Sequence, residues 1–271
     1  MPELPEVETI RRYLEPRLTS QRIDGVIIRH TGLRWPLSPT LSRNLAGQII
    51  QTVERRAKYL LLRCGDGTLI LHLGMTGRIL VVPATTPALK HDHLDLRLGD
   101  GNCLRFNDSR RFGCAVWTTR DPLRHPLLAN LGMEPLGLDH TGDYLHRRAK
   151  NRSVAVKNFI MNQRILVGVG NIYASEALYV AGIHPARPAG GISRSRYGRL
   201  ASAIRQVLDQ ALQAGGTTLR DYRQGDGNPG GFQVQLSVYG RTGEPCGTCG
   251  RPVQQMRIGQ RSTYLCPKCQ R

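Results

Sequence analysis

The sequence predicts an α+β protein: an N-terminal helix leading into a β-sandwich, then a helical segment and a metal-pinned β-hairpin. Three observations carry this reading. Val7, Ile10, Leu14 and Leu18 recur at three- and four-residue spacing, the period of a helix with one buried face. From Ile23 to about Thr119 the pattern changes to short runs rich in branched residues, broken by Asp-Gly pairs, as in a sandwich of antiparallel strands. Near the far end stand two Cys-x-x-Cys pairs, Cys246/Cys249 and Cys266/Cys269, a spacing that suits one metal ion.

Each element has its own signals. The first helix spans Pro5 to Leu18, with proline at a first-turn position where its missing N–H costs nothing. Glu3 and Glu6 lie near its N-terminus, where the helix dipole favours negative charge. Strands are expected at Arg22–Ile28, Tyr59–Leu62, Thr68–Leu73 and Leu94–Leu98, with Asp66-Gly67 and Asp100-Gly101 as hairpin-type turns. Pro122 to Asn151, with Pro122, Pro126, Pro135, Gly137 and Gly142, reads as a linker with little structure of its own. Val154 to Gly215 is helical. Its last helix runs from a Ser193 cap to Ala214, with the stripe Tyr197, Leu200, Ala201, Ile204, Val207, Leu208, Ala211 and Leu212, and Gly215 as its C-terminal stop. The glycine-rich stretch from Gly216 to Gly231 is expected to be a mobile loop.

Composition narrows the function. At 271 residues the chain has room for two cores. Its net charge of +18 points to a polyanionic partner. Only five of its 38 basic residues are lysines, and arginine suits planar, bidentate phosphate contacts. No apolar run approaches a membrane span, and the N-terminal residues lack the pattern of a secretory signal. Seven cysteines, four of them in close pairs, fit a reducing compartment and a metal better than a disulfide framework.

Several motifs can carry chemistry. With Met1 removed, Pro2 presents a secondary amine able to form an iminium with a carbonyl carbon. Glu3 and Glu6 follow within one turn, although either would also serve as helix-start chemistry. Four thiolates at the observed spacing can surround one tetrahedral Zn²⁺, a reading preferred to disulfides or free thiols, and a closed four-sulfur site would be structural rather than catalytic. Arg251, Arg257, Arg261 and Tyr264 between the pairs could clamp phosphate or simply face solvent. Gly168-Val169-Gly170-Asn171 leads into a helix whose first N–H groups, with the Asn171 amide, could face a phosphate. Lys58, entering a strand, fits either a solvated edge or chemistry. Asn107 to Gly113 joins two arginines to Phe112, a combination able to fill the hole left by an extruded base, or an ordinary loop. His72, His91, His93 and His125 are scattered and accompany no hydrolytic metal motif.

Taken together these residues are similar to a known family. Pro2-Glu3-Leu4-Pro5-Glu6-Val7-Glu8-Thr9, Arg55-Arg56-Ala57-Lys58-Tyr59-Leu60, His72-Leu73-Gly74-Met75-Thr76-Gly77, Lys90-His91-Asp92-His93, Arg110-Arg111-Phe112-Gly113, Gly170-Asn171-Ile172-Tyr173-Ala174 and the cysteine pairs occur in one order along the chain. The chain resembles the bacterial formamidopyrimidine-DNA glycosylases over essentially its whole length. The resemblance implies a catalytic β-sandwich domain over 1–131, a hinge over 132–150, a helix–two-turn–helix DNA-binding domain over 151–236 and a zinc finger over 237–271. It implies a monomeric cytoplasmic repair enzyme with one structural Zn²⁺ and no membrane partner, acting on double-stranded DNA with oxidised purines or abasic sites in a cleft between the domains. By position it implies Pro2 as nucleophile, Glu3 as acid–base partner, Glu6 as supporting carboxylate, and Lys58 and Arg261 as residues assisting strand cleavage. It implies DNA contacts from His91, Arg110, Arg152 and Asn171, with Met75, Arg110 and Phe112 filling the gap left by the flipped base. Gly231 departs from the pattern, in which an aromatic often follows the glycine, at a loop associated with capping that base.

Overall fold

The computed structural model describes residues 2–215 and 236–271. The glycine-rich stretch from Gly216 to Gly231 therefore lies outside the described residues. The described chain forms two compact units, one running to Ala129 and the other comprising Asn130–Ala214 with residues 236–271.

The first unit opens with helix α1 (Leu4–Leu18), which carries Pro5 in its first turn. Its inward face is Leu4, Val7, Ile10, Leu14 and Leu18, all buried. Leu14 and Leu18 are fully enclosed, so truncating either to alanine costs about 2–5 kcal/mol. Eight strands follow: β1 (Ile23–Ile28), β2 (Ile50–Arg56), β3 (Tyr59–Cys64), β4 (Thr68–His72), β5 (Arg78–Pro83), β6 (Asp92–Leu98), β7 (Asn102–Asn107) and β8 (Cys114–Thr118). They form two four-stranded sheets, ordered β1-β6-β7-β5 and β2-β3-β4-β8, with every pairing antiparallel. Leucines and branched residues from both sheets, among them Ile23, Val53, Leu62, Leu71, Leu96 and Leu104, meet the helix face in one core. This is the sandwich that the alternation of Leu94, Leu96 and Leu98 predicts.

Four of the eight strands were not singled out by sequence pattern, and β7 shows why. Its Arg105 is a buried charge, which breaks the apolar alternation. The guanidinium pairs with Asp95 of β6 through Nε at 3.0 Å and Nη2 at 2.9 Å, and Arg29 adds a third bond at 2.7 Å. Burial alone would raise the Asp95 carboxyl, but the two guanidinium groups outweigh it and hold the carboxyl below its ordinary range. A short helix, α2 (Leu41–Leu45), also interrupts the region expected to be all strand.

In the second unit, the stretch expected to have little structure of its own carries α3 (Gly142–Ala149), capped by the Thr141 hydroxyl, which accepts from Tyr144 N–H at 3.2 Å. Its buried stripe is only Leu145 and Ala149. One apolar pair per two turns is too little periodicity to stand out beside prolines and glycines. The helical region divides into α4 (Val156–Ile160), α5 (Asn171–Val180) and α6 (Arg194–Gln213), with α3 and α5 packed on α6. Ser193 caps α6 as expected, accepting from Arg196 N–H, and Gly215 sits at φ +76° just past its end. The final hairpin pairs β9 (Gln254–Ile258) with β10 (Arg261–Leu265). No described helix is long and apolar enough to cross a membrane.

Candidate functional site

The first cluster lies where α1 begins. Pro2, Glu3 and Glu6 are all buried. Glu3 N–H donates to Glu6 Oε2 at 2.8 Å, a bond that fixes the backbone directly after Pro2. Two carboxylates out of water are tolerable there because the N–H groups of the first helical turn point at them. One turn on, the Glu8 carboxylate binds Arg11, Arg12 and Arg55. Burial pushes its pKa up, but the hydrogen bond and charge of Arg11, with Arg55, prevail and hold it below the usual carboxylate range.

Arg55 carries this network into the neighbouring hairpin. Its Nε meets Glu8 at 3.1 Å and its Nη1 donates to the Ala57 carbonyl at 2.9 Å. β2 and β3 are joined by a two-residue turn, since Arg56 pairs with Tyr59. Ala57 stands in that turn at φ +55°, a conformation that costs a non-glycine residue about 1 kcal/mol or more. The turn presents Lys58, which is buried. His72 faces Tyr59 across the β3–β4 ladder, with ring centroids 4.6 Å apart. Burial and then the nearby Lys58 charge push its pKa down to about 4. It is therefore neutral near pH 7, with Nδ1 accepting from Gly74 N–H at 3.0 Å.

The second cluster is built by two loops of the same unit. The β4–β5 loop presents Met75 and the β7–β8 loop presents Arg110 and Phe112. Met75 is 43% exposed and Phe112 41%, so both apolar tips are open to solvent. The Arg110 guanidinium lies 4.7 Å from the Phe112 ring centre. His91, at φ +74°, adjoins this cluster through its carbonyl, which accepts from Asp108 N–H at 3.0 Å.

The third cluster is in the second unit. Asn171 opens α5, as its Gly168-Val169-Gly170 approach predicts, but its amide also serves the hairpin: Nδ2 donates to the Ser262 carbonyl at 3.0 Å. The same carbonyl accepts from Lys157 Nζ at 3.1 Å, and Nζ also meets Thr263 Oγ1 at 2.8 Å. Two side chains thus hold the residue after Arg261, whose own side chain is exposed at the start of β10. Arg152 is exposed just before α4, with Nε on the Arg148 carbonyl at 2.9 Å.

The four paired cysteines converge. Their sulfurs all lie within 4.8 Å of one another, with Cys246 Sγ to Cys269 Sγ at 3.9 Å and Cys249 Sγ to Cys266 Sγ at 3.5 Å. Disulfide sulfurs lie at about 2.0 Å, whereas the edge of a tetrahedron with Zn–S bonds of about 2.3 Å is roughly 3.8 Å. The donor set fits one structural Zn²⁺. Tyr179 of α5 contacts Cys246 Sγ at 3.2 Å. Gln270 accepts from Cys266 N–H at 2.8 Å and donates to the Ile183 carbonyl at 3.0 Å. The metal knuckle is thereby sewn to the helices.

Sequence reasoning missed four supports. Arg55 and Asp108 stood inside motifs without a role. Lys157, fully buried, follows Val154-Ala155-Val156 without any polar pattern around it. Glu176 is a lone acid in the apolar run of α5, and a charge at a buried helix position was the available signal. Its carboxylate accepts three backbone N–H groups, Ser237 at 2.7 Å, Val238 at 3.0 Å and Tyr239 at 2.8 Å.

Comparison with known proteins follows the same division. Residues 1–115 match the formamidopyrimidine-DNA glycosylase N-terminal domain, residues 131–223 the formamidopyrimidine-DNA glycosylase H2TH domain, and residues 243–271 the zinc finger found in these glycosylases and in isoleucyl-tRNA synthetase. The formamidopyrimidine-DNA glycosylase of Stutzerimonas stutzeri is 56% identical over 271 residues, covering 100% of both chains. The crystal structure of the Thermus thermophilus protein is 40% identical, with a TM-score of 0.88 over 99% of this chain and 98% of that one. The Lactococcus lactis protein, solved in complex with DNA containing Fapy-dG, is 32% identical, with a TM-score of 0.89 over 99% of this chain and 100% of its own. On sequence, fold and metal site alike, the chain belongs to the formamidopyrimidine-DNA glycosylase family.

Proposed function

We infer that this protein is a base-excision DNA glycosylase for oxidised purines, 8-oxoguanine and formamidopyrimidines, that also cleaves the strand at the resulting abasic site. One observation carries the reading. Directly behind Pro2 stand two buried carboxylates, Glu3 and Glu6, joined by the 2.8 Å bond from Glu3 N–H. The pair also caps α1 as a capping box; what supports an enzyme is that both carboxylates are buried directly beside an N-terminal secondary amine. The complex of the Lactococcus lactis relative with Fapy-dG DNA supports the substrate class.

The chemistry runs through the chain's own residues. Pro2, with Met1 removed, attacks C1′ of the flipped nucleotide, and the glycosidic bond breaks with its electron pair on the departing base. Glu3 handles the proton transfers at the sugar, and Glu6 holds the Glu3 backbone in place. With the Pro2 N–H proton passed to Glu3, the C1′–O4′ bond opens as O4′ takes a proton, and the open-chain iminium so formed acidifies the C2′ proton. Its removal breaks the C3′–O bond, and a second elimination releases the 5′ phosphate. Water then frees the sugar fragment from Pro2. Lys58 assists the first elimination and contacts the phosphate beside the lesion. Arg261 and Asn171 hold phosphate, Arg261 favouring the second elimination, while His91 and Arg152 bind the backbone. Met75, Arg110 and Phe112 occupy the space that the extruded base leaves. Zinc supplies no step; bound by Cys246, Cys249, Cys266 and Cys269 it stabilises the hairpin that carries Arg261.

In this reading 1–131 is the catalytic domain, 132–150 the connection whose α3 packs on α6, 151–236 the DNA-binding helical domain and 237–271 the zinc finger. The enzyme works as a cytoplasmic monomer associated with the nucleoid through its DNA. Borohydride trapping on a duplex with one 8-oxoguanine, followed by peptide mass spectrometry, tests the assignment. The expected adduct is on Pro2. Incision without any N-terminal adduct, or an adduct on Lys58 alone, would overturn it.

A further inference from the structure

We propose that Asp108 is a positioning residue that locks the Met75 loop and the Arg110–Phe112 loop into one rigid probe. The proposal deepens the reading above and rests on it for the purpose of the probe.

The two loops run side by side because of the sheet pairings. β4 pairs with β8 (His72 with Cys114) and β5 with β7 (Arg78 with Asn107). The β4–β5 and β7–β8 connections therefore leave and enter the two sheets at matching points. Their backbones touch. A Cβ on Gly74, at φ +62°, would lie 2.5 Å from the Phe112 carbonyl carbon, and one on Gly113 would lie 2.6 Å from the His72 carbonyl oxygen. Only glycine permits that approach.

Close approach alone does not bind two loops, and here the Asp108 side chain does so. It is fully buried. Oδ1 accepts from the Thr76 hydroxyl at 2.6 Å, across from the other loop, and Oδ2 accepts from Gly113 N–H at 2.8 Å. Arg110 N–H is shared between Thr76 Oγ1 at 3.1 Å and Asp108 Oδ1 at 3.3 Å. The Asp108 backbone is pinned too: its carbonyl meets His93 Nε2 at 2.7 Å and its N–H the His91 carbonyl. One carboxylate thus ties Thr76, the residue after Met75, to Arg110 and to Gly113, the residue after Phe112.

The consequence is mechanical. Met75 and Phe112 hold exposed apolar tips that must enter a base stack without folding back. Unstacking a step costs a few kcal/mol, and a probe that yields loses that work to its own loops. The two arms divide accordingly: invasion of a duplex needs the lock, whereas cleavage of an abasic site in single-stranded DNA, where no stack is entered, does not.

The test uses the full-length zinc-loaded protein and Thr76→Val, which keeps the branched shape but removes the hydroxyl, with Thr76→Ser as the conservative control. Amide hydrogen exchange at Gly113 and Arg110 is read in the protein alone. Incision is read on an 8-oxoguanine duplex and on a single-stranded abasic oligonucleotide. In the valine variant, exchange at both amides should rise and duplex incision should fall roughly tenfold to a hundredfold, the range that one hydrogen bond to a charged group is worth. Single-strand cleavage should hold within about twofold, and serine should restore both readouts. Unchanged exchange would overturn the lock, whatever the activity. Faster exchange with undiminished duplex incision would overturn its purpose. Equal losses on both substrates would mean general damage to the fold and likewise overturn it. A wild-type protein inactive on the duplex would count against the functional reading instead, and the exchange rates would then decide the lock alone.

Discussion

Replacing Glu176 by glutamine should unfasten the metal hairpin while leaving the first unit intact. The carboxylate receives three backbone N–H groups: Val238 and Tyr239 on Oε1, at 3.0 and 2.8 Å, and Ser237 on Oε2, at 2.7 Å. Glutamine keeps the shape. Its oxygen can serve Val238 and Tyr239, but its NH₂ then faces the Ser237 N–H, donor against donor. One charge-assisted bond is lost, worth about 1.5–3 kcal/mol. The other two fall from a charged to a neutral acceptor, with about half the strength of each forfeited. Together this amounts to roughly 3–6 kcal/mol. At about 3–6 °C per kcal/mol for a body between the small and large domain sizes, the transition of the second unit should move down by at least roughly 9 °C. Scanning calorimetry should show that shift with the first unit unmoved, because its core contains none of these groups. A colorimetric chelator should strip zinc faster from the variant. A shift under about 2 °C with zinc retained would refute the reasoning, since it would mean that the three bonds hold nothing the rest of the fold does not.

Other expectations follow from the same geometry. His140 is 3% exposed, and burial, then Arg205, pushes its pKa down to about 4. A histidine kept neutral contributes stability that is full above the unfolded value of about 6.5 and is lost as pH falls toward the folded one. Over pH 6.5 to 4.5 His140 should therefore cost about 2–3 kcal/mol of stability, and His140→Gln should make the fall of the urea midpoint shallower by that amount, His72 keeping its own share; equal slopes in both proteins would contradict this. Asp95→Ala leaves Arg105 buried without its main partner and should destabilise the first unit by about 3–5 kcal/mol in denaturant melts; a loss below about 1 kcal/mol would show that water reaches the guanidinium. Cys249→Ser, or zinc removal by a chelator, should weaken DNA affinity measured by fluorescence anisotropy, because structural zinc sites fold with their metal; unchanged affinity would detach the hairpin from DNA binding. Affinity should also fall linearly on a log–log plot against salt, with a slope near −0.9 per phosphate neutralised, and a flat response would exclude an arginine clamp.

Much of the architecture was legible because its signals are local. The period of α1, the Asp-Gly turns, the Ser193 cap and the spacing of the four cysteines each lie within a window of a few to twenty-odd residues. β7 and α3, both missed by pattern, owe their burial to partners on other elements. Arg105 belongs inside only because Asp95 meets it across a ladder, and α3 is a helix because α6 covers its two apolar residues.

The same boundary runs through the candidate site. Residue types and their order along the chain were enough to nominate Pro2, Glu3, Glu6, Lys58, the Met75 and Phe112 tips, and a four-thiolate metal. Which groups hold those residues in place was decided only by folding. Arg55 reaches Glu8 from 47 residues away, Asp108 reaches Thr76 from 32, Lys157 reaches Thr263 from 106 and Glu176 reaches Val238 from 62. Hydrogen bonds and ion pairs act over about 3 Å, a length that has no counterpart in sequence separation. Reactive chemistry can therefore be named from residue identity, whereas the supports that orient it exist only once the chain has brought remote segments within bonding distance.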